Sequence, residues 1–169
     1  MGAITGLGLV ARHPEKLERL VLCDGPWAAD AAMADVWRER IAQVERGGMG
    51  AMVESTVARW FRPAWIESNP PVLAAIRDMI GKTPAAGYIG VAHALGNFDY
   101  REAARTVRVP TLLIVGANDG ALPQVMRTMH EAIPGSTFNV IPECGHLPNV
   151  ERPEEFNKAL GRFLNSGQE

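Results

Sequence analysis

An α/β fold with a parallel sheet is what the sequence predicts, and three observations predict it. Short apolar runs stand in "LERLVLCD" (17–24), "VPTLLIVGAND" (109–119) and "STFNVIPECGH" (136–146), each bounded by turn-forming residues. Strands buried on both faces read as such continuous runs. Between residues 28 and 97 the pattern is helical throughout, with no strand signal. Strand, helical insertion, strand, helix, strand, helix is the order of a parallel sheet flanked by helices.

The elements follow in order. Residues 2–12 form a helix with Gly and Ala on its packing face, stopped by His13-Pro14. The run at 17–24 is a buried strand ending at Gly25-Pro26. Four helical stretches come next: "MADVWRERIAQVERGG", "MGAMVESTVARWF", "PPVLAAIRDMIGKTP" and "AAGYIGVAHALGNF". Gly47-Gly48, Pro63 and Pro84 punctuate them. Met33, Met49, Met52 and Met79 fall at helical spacings and read as core filler, and His13, His93 and His130 read as structural. After the strand at 109–119, residues 123–135 form a helix closed by Pro134-Gly135. Residues 151–167 form an amphipathic helix with Phe156, Leu160, Phe163 and Leu164 on one face. The division is 1–27, 28–100 and 101–169, with the middle part a helical cap.

Composition narrows the class. A chain of 169 residues, 47% hydrophobic and 21% charged, has the balance of a globular protein with a real core. A net charge of -2 and no basic run argue against a nucleic-acid partner. Cys23 and Cys144 make neither a disulfide framework nor a zinc spacing, so no metal is implied. No apolar run reaches bilayer length, and the opening residues lack the basic start of a signal peptide. The expectation is a cytoplasmic protein with a small-molecule ligand and no membrane partner.

The chemistry lies in two loops. In open parallel sheets reactive groups sit beyond the carboxyl ends of the strands. Asp119 follows one strand and His146 the next. A carboxylate beside an imidazole fixes its tautomer and leaves the other nitrogen free as a base. Singly, Asp119 reads equally well as a turn residue and His146 as a loop histidine bonded to a carbonyl. Together, in this order, they point to catalysis. Asp24, at the end of the first strand, is the rival acid, although a cap or turn role suits it better. Cys23 reads as core. Cys144, two residues from His146 on the same loop, reads as a small residue packed beneath it rather than as a nucleophile.

"LLIVGANDGALP" and "ECGHLPNVERPEEFNKALGRFL" resemble the acid loop and the histidine loop of the α/β-hydrolase superfamily. "MGAITGLGLVARHPEKLERLVLCD" resembles the helix and strand that follow its nucleophile elbow. Within the superfamily, "WRERIAQVERGGMGAMVESTVARWFRP", "TPAAGYIGVAHAL" and "FDYREAARTVRVPTLL" are similar to the 3-oxoadipate enol-lactonases. The resemblance implies the C-terminal part of that fold, with three neighbouring strands at one end of the sheet. It implies a hydrolase of esters or enol-lactones of aromatic catabolism that needs no cofactor, with Asp119 and His146 catalytic. The elbow pattern G-x-S-x-G places Met1-Gly2 directly after the serine. Ser55, Ser68, Ser136 and Ser166 have no elbow context, and Thr5 lies within the helix. The backbone amide of Met1 is the implied oxyanion donor. The substrate such a resemblance implies carries a carboxylate, which Arg59, Arg62 and Arg101 could fork and beside which Trp60 could wall the pocket; the same residues read as well as a Trp buried between cap helices with the arginines in solvent. The expectation is therefore a truncated hydrolase, inactive alone. The rivals are one half of a split hydrolase and a non-catalytic interaction module. An exposed strand edge is expected to promote homo-oligomers.

Overall fold

The computed structural model describes residues 1–166. They form two compact units, one of Met1–Trp27 with the chain from Tyr100 onward, the other of Ala28–Asp99.

The first unit is built on three parallel strands in the order β1-β2-β3: β1 (Leu20–Cys23), β2 (Thr111–Gly116) and β3 (Thr137–Ile141). Leu22 lies opposite Leu113, and Leu113 opposite Phe138. Each strand is shorter than its apolar run, and the remainder of each run becomes loop. All six residues of β2 are buried, because helices cover both of its faces. On one face Leu113 and Val115 pack with α1 (Gly2–Arg12), α7 (Arg101–Arg105) and α8 (Leu122–Ala132). Helix α1 contributes Ala3, Leu7 and Val10, one apolar stripe at helical spacing. A Cβ on Gly6 would stand 3.2 Å from Leu20 Cδ1, so the missing side chain is what lets helix and strand come this close.

On the other face Leu112, Ile114 and Ile141 pack with α10 (Pro153–Asn165), which follows the single turn α9 (Pro148–Glu151). Here the expected apolar stripe needs a correction. Ala159 and Phe163 are buried, while Leu164 is 45% exposed. The buried line steps through 156, 159, 160 and 163, and residue 164 falls past its edge. Arg19 closes this helix: its guanidinium donates to the carbonyls of Phe163 (2.7 Å) and Ser166 (2.8 Å).

The second unit is helical: α2 (Ala31–Gly47), α3 (Val53–Trp60), α4 (Pro63–Glu67), α5 (Pro71–Lys82) and α6 (Ala85–Leu95). Asp30 caps α2 by accepting from the Met33 amide at 2.8 Å, and Gly48 ends it. Pro63 and Pro71 occupy first turns, where the missing N–H costs nothing. Helix α2 packs against α6 and α3 against α5. Met52, Val57, Leu73, Ile76 and Ile80 are buried. Met79 does not belong with the core methionines: it is 54% exposed, on the flank of the line Leu73, Ile76, Ile80. The only β pairing between residues 28 and 99 is an isolated bridge, Ala28 with Asp99. Among the described residues no helix is long and apolar enough to cross a membrane.

Candidate active site

The site grows from the carboxyl ends of three neighbouring strands. Beyond β2, Ala117 donates its amide to the carbonyl of Ile141 (2.8 Å), and Asn118 donates to that of Cys144 (2.8 Å). Backbone bonds thus join the loop after β2 to the loop after β3. The join is close: a Cβ on Gly116 would lie 1.9 Å from the Gly145 carbonyl oxygen and 2.6 Å from that of Cys144. No other residue fits at position 116. The Asp119 amide donates to Gly116 O at 3.1 Å, closing a tight turn ahead of α8.

This crossing sets Asp119 Oδ2 2.7 Å from His146 Nδ1, with the two side chains only 13% and 20% exposed. With neutral imidazole, Nδ1–H donates to the carboxylate and Nε2 carries the lone pair. A carboxylate so placed can also stabilise an imidazolium. The geometry is that of an oriented general base.

Two further carboxyl groups lie behind the pair. Glu151 is buried, and its Oε2 accepts from the Gly145 amide at 2.8 Å, holding the backbone just before His146. Asp24 leaves β1 in a left-handed conformation (φ 41°), and its Oδ1 accepts from the Gly116 amide at 2.8 Å. Its Oδ2 is buried and faces the Asp119 carboxyl, to which a proton on Asp24 can bond. Burial pushes the Asp24 carboxyl up to about 8, the charge of Asp119 adds to that, and the Gly116 amide opposes it. At neutral pH Asp24 therefore holds a proton beside Asp119. Donor atoms of Asp24, Asp119 and His146 all lie within 4.8 Å of one another, compact enough to ligate a cation. A proton on Asp24 relieves the same crowding of negative charge.

Neither cysteine is placed to react. Burial and then Asp24 push the Cys23 thiol up to about 11, and the half-buried side chain packs against the Leu112–Ile114 cluster. Cys144 is fully buried in that cluster. Each of the four serines bonds to a nearby carbonyl: Ser55 to Met52, Ser68 to Trp65, Ser136 to His130 and Ile133, Ser166 to Phe163.

The other named residues fall as follows. Met1 is the N-cap of α1, and its carbonyl accepts from the Thr5 amide. Arg59 and Trp60, at the end of α3, line a cavity inside the helical unit, whereas Arg62 starts α4 and is not among the lining residues. Arg101 starts α7, in the other unit. Sequence reasoning passed over Glu151 and Arg40. A carboxylate two residues before a helix-starting proline was a readable signal for the first. No local pattern marks Arg40.

The alpha/beta hydrolase family matches residues 1–159. The 3-oxoadipate enol-lactonase 2 of Acinetobacter baylyi is 30% identical over 161 residues, covering 95% of this chain and 59% of the relative. The chain thus spans about three fifths of that protein's length. The structure of the enol-lactonase from Burkholderia xenovorans LB400 superposes with a TM-score of 0.90 at 33% identity, over 97% of this chain and 62% of that one. A thermophilic esterase from Thermogutta terrifontis superposes with a TM-score of 0.88 at 30% identity, over 96% and 61%. Strand order, loop placement and a family match over nearly the whole chain lead to one conclusion: this chain belongs to the alpha/beta hydrolase family.

Proposed function

We propose that the chain carries the acid–base arm of a serine-type hydrolase acting on an ester or enol-lactone. The observation that carries the reading is the 2.7 Å contact between His146 Nδ1 and Asp119 Oδ2 at the ends of adjacent parallel strands. In this reading His146 Nε2 takes the proton of a seryl hydroxyl as its oxygen attacks the acyl carbon. It returns the proton to the leaving oxygen as the tetrahedral intermediate collapses. Asp119 holds the ring and balances the imidazolium. With residues ahead of it, Met1 would supply a backbone amide at the positive end of α1 to stabilise the oxyanion. Arg59 and Trp60, which line the cavity of the helical unit, are the candidate substrate contacts, the guanidinium being suited to a carboxylate-bearing lactone such as 3-oxoadipate enol-lactone.

The reading places the attacking serine outside these 169 residues. Loss of a triad serine costs on the order of a millionfold in rate. Pure protein of verified intact mass is expected to give no serine-reagent-sensitive turnover of 3-oxoadipate enol-lactone or of a simple aryl ester. A chain extended ahead of Met1 by a G-x-S elbow and the preceding strands is expected to turn over, and His146→Ala in that chain to abolish it. Sensitive turnover by the 169-residue chain would overturn the placement of the nucleophile. Full activity of the extended His146→Ala chain would overturn the base.

A second reading is favoured by one observation. Strand β1 pairs only with β2 among the described residues, so its other edge is open to a second chain. That edge suits a strand of another chain, or a second copy.

A further inference from the structure

The helical unit contains a buried cation with no counter-charge. Arg40, in the middle of α2, is only 9% exposed. Its Nε donates to the Tyr88 hydroxyl and its Nη2 to the Thr56 hydroxyl, both at 2.7 Å. Its guanidinium carbon lies 5.9 Å from the centre of the Trp37 ring. Among the described residues no carboxylate pairs with it. Two hydroxyl dipoles and a π face compensate a buried charge only in part, and a buried guanidinium ordinarily meets an anion. Arg40 also borders a cavity of about 180 Å³ walled by Trp37, Trp60, Met49 and Ile80. Arg59 lines the same cavity, its guanidinium carbon 5.8 Å from the centre of the same Trp37 ring.

We propose that this cavity binds a small organic acid, with its carboxylate on Arg40 and its short aliphatic body against the apolar walls. The guanidinium has donors beyond the two already engaged, and a planar carboxylate matches its fork. Tyr88 and Thr56 fix the orientation of the side chain before the ligand arrives, which reduces the ordering cost of binding. The apolar walls select against a bare inorganic anion. The inference deepens the substrate reading of Arg59 and Trp60 by adding Arg40 as the anchor, and its test needs no turnover. It therefore fails or stands separately from the hydrolase reading.

The test is a binding titration of the intact 169-residue chain with adipate, followed by tryptophan fluorescence and calorimetry. The uncharged isostere 1,6-hexanediol and inorganic phosphate run as controls. Adipate is expected to bind saturably, hexanediol not at all, and phosphate at least ~10-fold more weakly, a difference of about 1.4 kcal/mol. Arg40→Gln is expected to weaken adipate by ~10-fold or more, and Arg40→Lys to restore part of the loss. Should Arg40→Gln fail to fold, the wild-type chain still decides the matter. The Nε–H signal of a buried arginine, protected by its bond to Tyr88, should move on adding adipate and stay put with hexanediol. The proposal is overturned by equal binding of adipate and hexanediol, by phosphate matching adipate, by a folded Arg40→Gln that binds as wild type does, or by no adipate binding.

Discussion

Asp24 shows how one buried side chain ties stability to pH. Its folded-state value, about 8, lies well above the ordinary 3.8, so between those limits the fold holds a proton that the unfolded chain releases. The stability from neutral Asp24 is whole below the ordinary value and is lost as pH rises through about 8. Thermal melts of the wild type are expected to fall as pH rises from the ordinary value, 3.8, to about 8 and to level off above it. Asp24→Asn should remove that part of the fall and raise Tm at alkaline pH by at least ~3 °C, the shift that ~1 kcal/mol produces in a domain of this size. Asn tolerates the positive φ and keeps an oxygen for the Gly116 amide. Identical pH slopes in the two proteins would refute a proton on Asp24. Asp24 was legible as an acid at a strand end, but its protonation was not. That property comes first from burial and then from Asp119, a partner more than ninety residues away in the chain, and no local pattern carries either. The same holds for Arg40, whose hydroxyl partners lie on α3 and α6. Asp119 and His146 were legible because each directly follows an apolar run, where an open parallel sheet places its chemistry.

At the scale of the element, the crossing of the loops after β2 and β3 depends on a single missing side chain. Gly116→Ala sets a methyl group against two backbone carbonyls, and backbone cannot swing aside as a flexible side chain does. The expected cost is at least ~1–3 kcal/mol. The coupling of His146 to Asp119, read as a low-field Nδ1–H proton signal, should be lost with it. A Gly116→Ala protein with wild-type Tm and an unchanged proton signal would show that the loops have room to part. The strands and helices themselves were legible from periodicity. Their ends were not, since an apolar run of eight to eleven residues gives a strand of four to six once the sheet register is set. Leu164 and Met79 were assigned to cores they do not join, because one residue of helical drift is enough to turn a side chain to water.

At the scale of the whole molecule, the open edge of β1 makes association a concrete expectation. Light scattering on the purified chain should detect dimers or larger species that grow with concentration. A monodisperse monomer across a wide concentration range would count against edge pairing. The bridge between Ala28 and Asp99 bears on how the chain folds at all. Ala29 donates to Phe98 O at 2.9 Å, and just outside that pair Tyr100 donates to Trp27 O at 2.7 Å. The long excursion between β1 and β2 is thus pinched shut at its base. Once the helices of 28–99 have collapsed among themselves, the sheet residues on either side meet as though a short turn joined them. The entropy of closing so long a flexible loop, greater than that of a short turn by roughly 2–3 kcal/mol, no longer opposes strand pairing. The excursion then acts as a clasp that holds the ends of the two strands together.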